Sequence, residues 1–309
     1  MYKSGFVAVV GRPNVGKSTL INKIIGKTVA ITSRHAGTTQ KNIIGIYNKA
    51  NVQIIFIDTP GFAKPRKVLG QRLNQSVAQA TSDADIIAFC SPADEKIGPG
   101  DKTIINRFIN KTNNKLTNLT STNQPPQNPK ELNTKKLAII TKIDKISKTN
   151  LIDKIISLDK LQIFDDIIPI SVFNQDNLNE LMSYLKKSLP AGSKYYDTQV
   201  YTTENQNSII SELIRQEILQ GLNDELSHSV AVKINDESDE KNILATIFIE
   251  RNSQKGIIIG KNGARLGNIR RRAKRAIKQN FLTIDNLKLK IKVAKNWQQD
   301  TKFLTNLGL

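Results

Sequence analysis

The sequence predicts two domains, an α/β domain with a mostly parallel sheet followed by a smaller α+β domain. Between residues 5 and about 190, short apolar runs alternate with longer amphipathic runs, which is typical of parallel strands joined by helices. After the segment 189–193, which contains Pro190 and Gly192, the predicted order changes to helix, strand, strand, helix, helix, strand. A length of 309 residues also favours two domains, because a domain typically has about 100–200 residues.

The first domain is predicted to comprise residues 1–190. Two of its predicted strands are separated only by Ala50 and Asn51, which indicates an antiparallel hairpin. Residues 111–136 are rich in Asn, Thr and Pro, and we expect a low-complexity surface insertion there. The predicted strands are 5–10, 43–49, 52–57, 85–90, 137–141 and 166–170, and the predicted helices are 17–26, 68–81, 101–110, 150–158 and 177–188.

The second domain is bounded at residues 204–309, and residues 191–203 form the linker. Its predicted elements are a helix over 204–221, strands over 228–235 and 243–250, helices over 254–259 and 264–279, a strand over 287–294 and a C-terminal tail. Trp297 in this tail is expected to be partly buried against the domain, with stacking on nucleic-acid bases as the alternative.

The charge of the chain indicates a polyanionic partner. The sequence has 46 Lys and Arg against 27 Asp and Glu, a net charge of +19. The excess is uneven: residues 251–309 carry 15 basic and 2 acidic residues, whereas residues 201–250 carry 3 basic and 10 acidic residues.

No apolar run is long enough to span a bilayer and no leader pattern is present. The single cysteine, Cys90, lies in an apolar run and is expected to be a buried, reduced core residue.

A phosphate-binding loop follows the first predicted strand and opens the first predicted helix. The pattern G-x-x-x-x-G-K-[ST] places backbone amides, a lysine and a hydroxyl around nucleotide phosphates. Lys17 is expected to neutralise the β and γ phosphates and Ser18 to ligate Mg²⁺. The residues expected at the phosphates are Gly11, Arg12, Pro13, Asn14, Val15, Gly16, Lys17, Ser18 and Thr19.

Three further motifs at predicted strand ends favour GTP over ATP. Asp58, followed by Thr59, Pro60 and Gly61, ends one strand and is expected to hold Mg²⁺ through water. Thr141 and Lys142 precede Asp144, whose carboxylate can accept both N1–H and N2–H of guanine. Ser171 follows a later strand and is expected at the base edge. The order of these motifs predicts a P-loop GTPase domain.

The C-terminal half carries a turn typical of nucleic-acid binding. Gly260, Lys261, Asn262 and Gly263 form a G-x-x-G turn that lets the backbone of single-stranded RNA approach closely. The order of elements around it resembles the type II KH domain. The basic helix that follows supplies the remaining expected RNA contacts: Arg265, Arg270, Arg271, Arg272, Lys274 and Arg275.

The chain resembles the Era-type GTPases, bacterial ribosome-assembly proteins, over nearly its whole length. The resemblance rests on GRPNVGKST at 11–19, ITSRHAGTTQ at 31–40, DTPGF at 58–62, TKID at 141–144, HSVAVKI at 228–234, ERNSQKGIIIGKNGARLGNI at 250–269 and VAKNW at 293–297. It implies a GTPase that binds 16S ribosomal RNA near its 3′ end and acts in maturation of the 30S subunit. It also implies a cytoplasmic monomer, with peripheral association at the inner face of the cell membrane left open.

The resemblance also assigns roles within the nucleotide site. The switch residues are Thr38, Thr39, Asp58, Thr59, Pro60, Gly61 and Phe62, and either Thr38 or Thr39 ligates Mg²⁺. Phe62 stands where many GTPases have a glutamine that orients water, and Asn14 is typical of GTPases activated by K⁺, the alternative being that Asn14 only stabilises the turn. Thr141 and Val172 depart from the usual Asn and Ala, which puts nucleotide affinity in question.

Two alternative functions remain: an RNA-binding chaperone with a nearly inactive nucleotide site, and a GTPase acting on tRNA or at a membrane surface.

Overall fold

The computed structural model describes residues 1–32, 39–62, 67–109, 133–220, 229–239, 241–281 and 284–309. The first domain is a six-stranded sheet in the order β2-β3-β1-β4-β5-β6, with helices on both faces. Its strands are β1 (Lys3–Val10), β2 (Ile43–Lys49), β3 (Val52–Asp58), β4 (Ile86–Pro92), β5 (Lys135–Thr141) and β6 (Asp166–Pro169). Its helices are α1 (Lys17–Ile25), α2 (Val68–Asp83), α3 (Pro99–Ile104), α4 (Lys148–Asp159) and α5 (Leu178–Ser188).

The sheet is parallel except for one strand, as the sequence predicts. β2 pairs with β3 in antiparallel register, which confirms the hairpin across residues 50 and 51. The strands β3 and β4 are buried throughout, since helices cover both faces of the sheet. Parallel strands end at one edge of a sheet, so the residues that follow β1, β3, β5 and β6 come together at that edge.

The helix predicted over 101–110 differs from the observed one. α3 begins at Pro99, where proline is favourable in the first turn and the Asp101 carboxylate accepts a 2.9 Å hydrogen bond from the Gly98 amide. After Ile104 the helix widens into a π-helix, Ile105–Ile109. Most of the low-complexity insertion predicted over 111–136 lies outside the described residues, and the described part from Lys135 onwards belongs to β5.

The linker is bound to the first domain along the edge of β2 and β3. The Gln53 side chain accepts hydrogen bonds from the amides of Tyr195 and Tyr196, at 2.8 and 3.0 Å. Further along, the Ile46 amide donates to Tyr201 O at 2.8 Å and the Thr202 hydroxyl donates to Ile44 O at 2.6 Å. Residues 191–203 therefore form an ordered strap against the sheet.

The second domain is a three-stranded sheet in the order β7-β8-β9 with helices on one face. Its core is formed largely by isoleucines and leucines from all three strands and from the helices α6, α7 and α8. The elements are α6 (Gln206–Leu219), β7 (Ala231–Ile234), β8 (Asn242–Ile249), α7 (Asn252–Ile259), α8 (Ala264–Phe281), β9 (Asn286–Val293) and α9 (Thr301–Asn306). The short helix α9 is absent from the sequence prediction.

The tail packs between the two domains. Trp297 is 1% exposed and donates an indole hydrogen bond to Ser229 O at 3.3 Å. Together with Leu304 and Ala231 it forms an apolar cluster with Leu69 of α2. The expectation that Trp297 packs against its domain is confirmed, and its burial leaves no ring face for a base. No helix among the described residues is long and apolar enough to cross a membrane.

Candidate GTP-binding site and RNA interface

The phosphate-binding loop lies between β1 and α1 with its lysine at the centre. The Lys17 ammonium group donates to the carbonyl oxygens of Gly11 and Arg12, at 3.2 and 2.9 Å. Lys17 is buried, and burial lowers its pKa even though Asp58 favours the charged form. Gly11 passes so close to the preceding strand that a Cβ there would lie 2.6 Å from Cys90 O, so only glycine fits. The loop thus points one buried cation at the phosphate position.

Arg12 turns away from the phosphate position and anchors the loop from outside. Its Nε donates to Asp101 Oδ1 at 2.9 Å, and its terminal nitrogen lies 2.7 Å from Glu95 Oε2. Asp101 is fully buried, so this carboxylate is available only to Arg12 and to the start of α3. The sequence motif predicts Arg12 at the phosphates, but its carboxylate partners lie 83 and 89 residues away in the chain, where no local motif indicates them.

Three oxygen-bearing side chains meet beside the loop in a way that fits Mg²⁺. Ser18 Oγ donates to Asp58 Oδ2 at 2.5 Å and lies 3.3 Å from Thr39 Oγ1. The other carboxylate oxygen of Asp58 is buried and has no hydrogen-bond partner among the described residues. Carboxylate and hydroxyl oxygens are ligands that Mg²⁺ prefers. Thr39 therefore lies at this cluster, whereas Thr38 is outside the described residues.

Burial of Asp58 raises the pKa of its carboxyl to about 6, while Lys17 and the hydroxyls of Ser18 and Thr39 oppose that rise. A nearby cation would stabilise the ionised form of this buried carboxylate. The unpartnered buried oxygen and the raised pKa thus both fit a divalent ion next to Ser18.

The residues after β3 fold back onto the phosphate-binding loop. The Thr59 hydroxyl donates to Val9 O at 2.7 Å, which fixes the strand end. A Cβ on Gly61 would lie 2.6 Å from the backbone nitrogen of Pro13, so the chain touches the loop there. The Phe62 ring points into the core instead, 5.3 Å from the Phe108 ring centroid in an edge-to-face contact. The ring of Phe62 is therefore packed beside the π-helix.

The residues expected at guanine are tied to the phosphate-binding loop and to each other. The Thr141 hydroxyl donates to Val15 O at 2.6 Å, so the contact between this strand end and the loop is kept with threonine in place of asparagine. Lys142 adopts a left-handed conformation and donates to Asn14 O at 2.8 Å. Ser171 Oγ donates to Asp144 Oδ1 at 2.6 Å, which orients the carboxylate. The cluster thus forms one connected edge for a base.

Asn14 has a left-handed backbone conformation with φ of 63°. Asparagine tolerates this conformation better than most residues, so the side chain suits the loop turn. Val172 packs partly buried against the core of the first domain, directly after Ser171. Asn14 and Val172 are therefore explained by the shape and packing of the two loops in which they lie, one after β1 and one after β6.

The G-x-x-G turn lies between α7 and α8 and presents its two central residues to solvent. Gly260, Asn262 and Gly263 all have positive φ angles, of 71°, 49° and 77°. A Cβ on Gly260 would lie 2.6 Å from the Arg265 Cβ, so glycine is required there. Lys261 and Asn262 are exposed at the tip. The turn therefore allows a close approach of an extended chain.

The basic residues of α8 point in several directions, because Ile269, Ala273 and Ile277 fix the buried face of the helix. Arg272 lies beside α6, where its Nε is 2.8 Å from Glu217 Oε2. Lys274 donates to Asp285 O, and Arg271 donates to the Asn268 side chain. On this helix, Arg270, Arg271, Arg272 and Arg275 are exposed, whereas Arg265 and Lys274 are half-buried.

The acidic residues of 201–250 pair with both domains. Glu204 forms an ion pair with Lys41, two residues after Thr39, and Glu250 lies 2.8 Å from Lys67, just before α2. Glu217 pairs with Arg272 of the basic helix. The acidic segment thus connects the second domain to the regions around both switch motifs.

Comparison with known proteins assigns both halves of the chain. Residues 6–122 match the family described as 50S ribosome-binding GTPase, and residues 225–298 match the KH domain. The GTPase Era of Mycobacterium tuberculosis (strain ATCC 25618 / H37Rv) is 41% identical over 314 residues, covering 99% of each chain. The GTPase Era of Mycolicibacterium smegmatis is 40% identical with the same coverage.

Two solved structures are similar over the whole chain. One is Era in complex with MgGDPNP and nucleotides 1506–1542 of 16S ribosomal RNA, at 33% identity, with a TM-score of 0.87 and coverage of 100% of this chain and 99% of that chain. The other is an Aquifex aeolicus Era variant bound to GDP.AlF4⁻, at 34% identity, with a TM-score of 0.87 and 99% coverage of each chain. The phosphate-binding loop, the guanine-side cluster and the G-x-x-G turn all lie in matched regions, and the chain belongs to the GTPase Era family.

Proposed function

We propose that this protein hydrolyses GTP with Mg²⁺, binds 16S ribosomal RNA near its 3′ end and acts in assembly and maturation of the 30S subunit. The observation that carries the proposal is a single chain in which a GTPase-type nucleotide site and a KH domain are joined by ion pairs beside both switch segments, Lys41 with Glu204 and Lys67 with Glu250. The similar Era structure with MgGDPNP and an RNA of nucleotides 1506–1542 supports the choice of both ligands. The location that follows is the cytoplasm, where ribosomes assemble, and the working form is a monomer.

The nucleotide would be held by residues 11–19, with guanine at Asp144 and Ser171 and with Mg²⁺ at Ser18, Thr39 and Asp58. When bound, Mg²⁺ neutralises the β and γ phosphate oxygens during phosphoryl transfer. Lys17 would bind the same oxygens from the loop, and the backbone at Gly61, which lies against Pro13 of that loop, would bring the Gly61 amide to the terminal phosphate. These contacts would orient GTP for hydrolysis.

Nucleotide state reaches the RNA-binding domain through two contacts. Lys41 follows Thr39 closely and donates to both Glu204 and Ser208 at the start of α6. α2 follows the Asp58–Phe62 segment, and its Leu69 packs against Trp297 and Leu304 of the tail. A terminal phosphate that draws Thr39 or Gly61 towards it therefore pulls on the second domain at two points.

The test compares RNA affinity in two nucleotide states. Binding of a 16S 3′-end RNA is measured with the protein loaded with GDP or with a non-hydrolysable GTP analogue. We expect tighter binding with the GTP analogue and a smaller difference in Lys41→Met. Lys49→Met is the matched control, because Lys49 is an exposed lysine at the other end of β2, the strand that follows Lys41. Equal affinities in both states would mean that the two activities are not linked, and absence of binding would reject the RNA assignment.

A further inference from the structure

The phosphate-binding loop is held from outside at two separate places. On the side nearer the guanine position, the Thr141 hydroxyl donates to Val15 O at 2.6 Å, which ties this part of the loop to the end of β5. On the other side, Arg12 Nε donates to Asp101 Oδ1 at 2.9 Å, which ties residues 12 and 13 to α3. The two ends of the loop are therefore held by different elements.

The contact between Arg12 and Asp101 is fixed on both sides. Asp101 is fully buried, and its two oxygens have separate partners: Oδ1 accepts from Arg12, and Oδ2 accepts from the Gly98 amide. The stem of Arg12 is packed as well, since a Cβ on Gly100 would lie 2.9 Å from Arg12 Cδ. Charge-assisted hydrogen bonds are stronger than neutral ones, and buried ion pairs are screened little by salt. Asp101 thus determines where the Arg12 side chain lies.

The other carboxylate on Arg12 is exposed to solvent. Glu95 Oε2 lies 2.7 Å from the terminal nitrogen of Arg12, but the side chain of Glu95 is 48% exposed, whereas that of Asp101 is 0% exposed. Exposed ion pairs contribute little to stability, because water competes for both charges. Asp101 is therefore the principal support of Arg12, and Glu95 is secondary.

The backbone of residues 12 and 13 has two contacts that concern a terminal phosphate. The carbonyl oxygen of Arg12 accepts a 2.9 Å hydrogen bond from the Lys17 ammonium group, so it helps to place this buried cation. Pro13 lies against Gly61, where a Cβ would be 2.6 Å from the Pro13 backbone nitrogen. A displacement of Arg12 would therefore disturb both Lys17 and the backbone at Gly61.

The same helical unit also contacts the residue that follows Gly61. α3 continues directly into the π-helix Ile105–Ile109, and the Phe108 ring lies 5.3 Å from the Phe62 ring centroid. This unit thus contacts the phosphate-binding loop through Asp101 and the segment after β3 through Phe108. The loop and the segment that carries Gly61 share one support.

We propose that Asp101 is a positioning residue for GTP hydrolysis. It acts through Arg12, by holding residues 12 and 13 where Lys17 and the Gly61 backbone reach the terminal phosphate. GDP lacks this phosphate, so the support at Asp101 affects turnover of GTP more than affinity for GDP. The anchor at Thr141, on the guanine side, affects the affinity of both nucleotides. This inference rests on the proposed GTP hydrolysis.

The experiment measures two quantities on the full chain, single-turnover phosphate release from GTP with Mg²⁺ and K⁺, and the affinity for GDP. Asp101→Asn keeps the size of the side chain but leaves one acceptor oxygen for two donors. We expect its turnover to fall at least about tenfold, because small displacements near reacting groups cost rate, and its GDP affinity to stay within about threefold of wild type. Glu95→Gln removes the exposed partner of Arg12 and should keep turnover within about threefold of wild type.

A double-mutant cycle tests whether Asp101 acts through Arg12. Arg12→Met removes both ion pairs but leaves a buried carboxylate without its cation. The double variant Arg12→Met, Asp101→Asn has no such charge, so it should remain folded even if Arg12→Met alone does not. Its turnover should equal that of Asp101→Asn alone, because the two side chains act as one unit. Losses that multiply in the double variant would overturn the proposal.

Asp85→Asn is the matched control for a general loss of stability. Asp85 is half-buried at the amino end of β4, at the sheet edge opposite the nucleotide position, and its carboxylate accepts a 2.7 Å hydrogen bond from the Phe6 amide. Urea unfolding of all variants measures stability. Asp85→Asn should be destabilised and should keep wild-type turnover, so a loss of turnover there equal to that of Asp101→Asn would contradict a positioning role.

Three further results would overturn the proposal. The first is wild-type turnover in Asp101→Asn. The second is a loss of GDP affinity in Asp101→Asn as large as its loss of turnover, which would make the pair a general support of the loop. The third is weaker GDP binding in Arg12→Met but not in Asp101→Asn, which would identify Arg12 as a direct phosphate ligand. If the wild-type protein releases no phosphate, the proposed hydrolysis fails and the role of Asp101 fails with it, and this is seen before any variant is compared.

Discussion

The Thr141 hydroxyl donates a 2.6 Å hydrogen bond to Val15 O and thereby joins the guanine side of the site to the phosphate-binding loop. Thr141→Val removes this donor and leaves a buried carbonyl unpaired, at a cost of about 1–3 kcal/mol. We expect GDP affinity to fall about tenfold. Titration with a fluorescent GDP analogue measures it. Thr141→Ser keeps the hydroxyl and should bind GDP nearly as well as wild type, and equal loss in both variants would contradict the role of the hydroxyl.

The Asp58 carboxyl should make the stability of the nucleotide-free, metal-free protein depend on pH. Its pKa of about 6 lies above the ordinary value of 3.8, so the folded state retains a proton that the unfolded state releases. This group therefore destabilises the fold fully above about pH 6, and the penalty disappears as pH falls towards 4.

Asp58→Asn removes that penalty, so it should stabilise the apo protein by roughly 3 kcal/mol at pH 8 and by only about 1 kcal/mol at pH 4.5. Urea unfolding at both pH values, with chelator present, measures the difference. An identical effect at the two pH values would show that ionisation of Asp58 is not the cause. The same variant should lose Mg²⁺-dependent GTP hydrolysis.

The contact between Gly61 and Pro13 leaves no room for a side chain. Gly61→Ala should force the chain off the phosphate-binding loop and reduce GTP hydrolysis by at least about tenfold, since small displacements near reacting groups cost rate. Single-turnover phosphate release measures the rate. Gly98→Ala is the control, because a Cβ there would meet only the Asp101 carboxylate at 3.8 Å. Wild-type turnover in Gly61→Ala would show that this contact opens before reaction.

The Phe62 ring should contribute to stability more than to chemistry. Phe62→Ala leaves a cavity beside Phe108 and should cost about 3 kcal/mol of unfolding free energy. Phe62→Leu keeps most of the packing, and its GTP turnover should stay within about threefold of wild type. Stability and turnover are measured on both variants. A collapse of turnover in a stable Phe62→Leu protein would place the ring in the reacting site.

Asn14 provides a test of K⁺ dependence. If its side chain helps to bind K⁺ beside the phosphates, GTP turnover should be at least about tenfold faster in K⁺ than in Na⁺, because the ion adds positive charge at the reacting group. Asn14→Gly keeps the left-handed backbone conformation accessible and should lose the difference. Turnover that is equal in the two salts with wild-type protein would leave Asn14 with only its role in the turn.

The order of the motifs was enough to predict the nucleotide site, because its residues lie at the ends of parallel strands. Lys17 and Asp144 follow such strands and Asp58 ends one, and a parallel sheet brings these positions to one edge regardless of the loop lengths between them. The core position of Cys90 was predictable for the same reason, since β4 lies at the centre of the sheet. Local pattern and topology were sufficient there.

The contacts that join distant segments were not predictable from local pattern. The sequence predicts Arg12 as a phosphate contact and Arg272 as an RNA contact, but each side chain has a carboxylate partner more than 50 residues away in the chain. The helix α9 spans only six residues, too few to show a helical period, and packing against α2 stabilises it. Such pairings depend on how the domains meet, which spacing in the sequence does not encode.

The strap along β2 and β3 limits how the second domain can move. A flexible linker of this length would have an end-to-end distance of about 20 Å and would let the domain move over that range. The strap is hydrogen-bonded up to Thr202, and α6 begins at Gln206, which leaves a very short unbound stretch. When its other contacts with the first domain open, the second domain is therefore restricted to rotation about a pivot beside Glu204. An RNA held by that domain stays at a nearly constant radius from the pivot, and nucleotide turnover can change its angle much more than its distance.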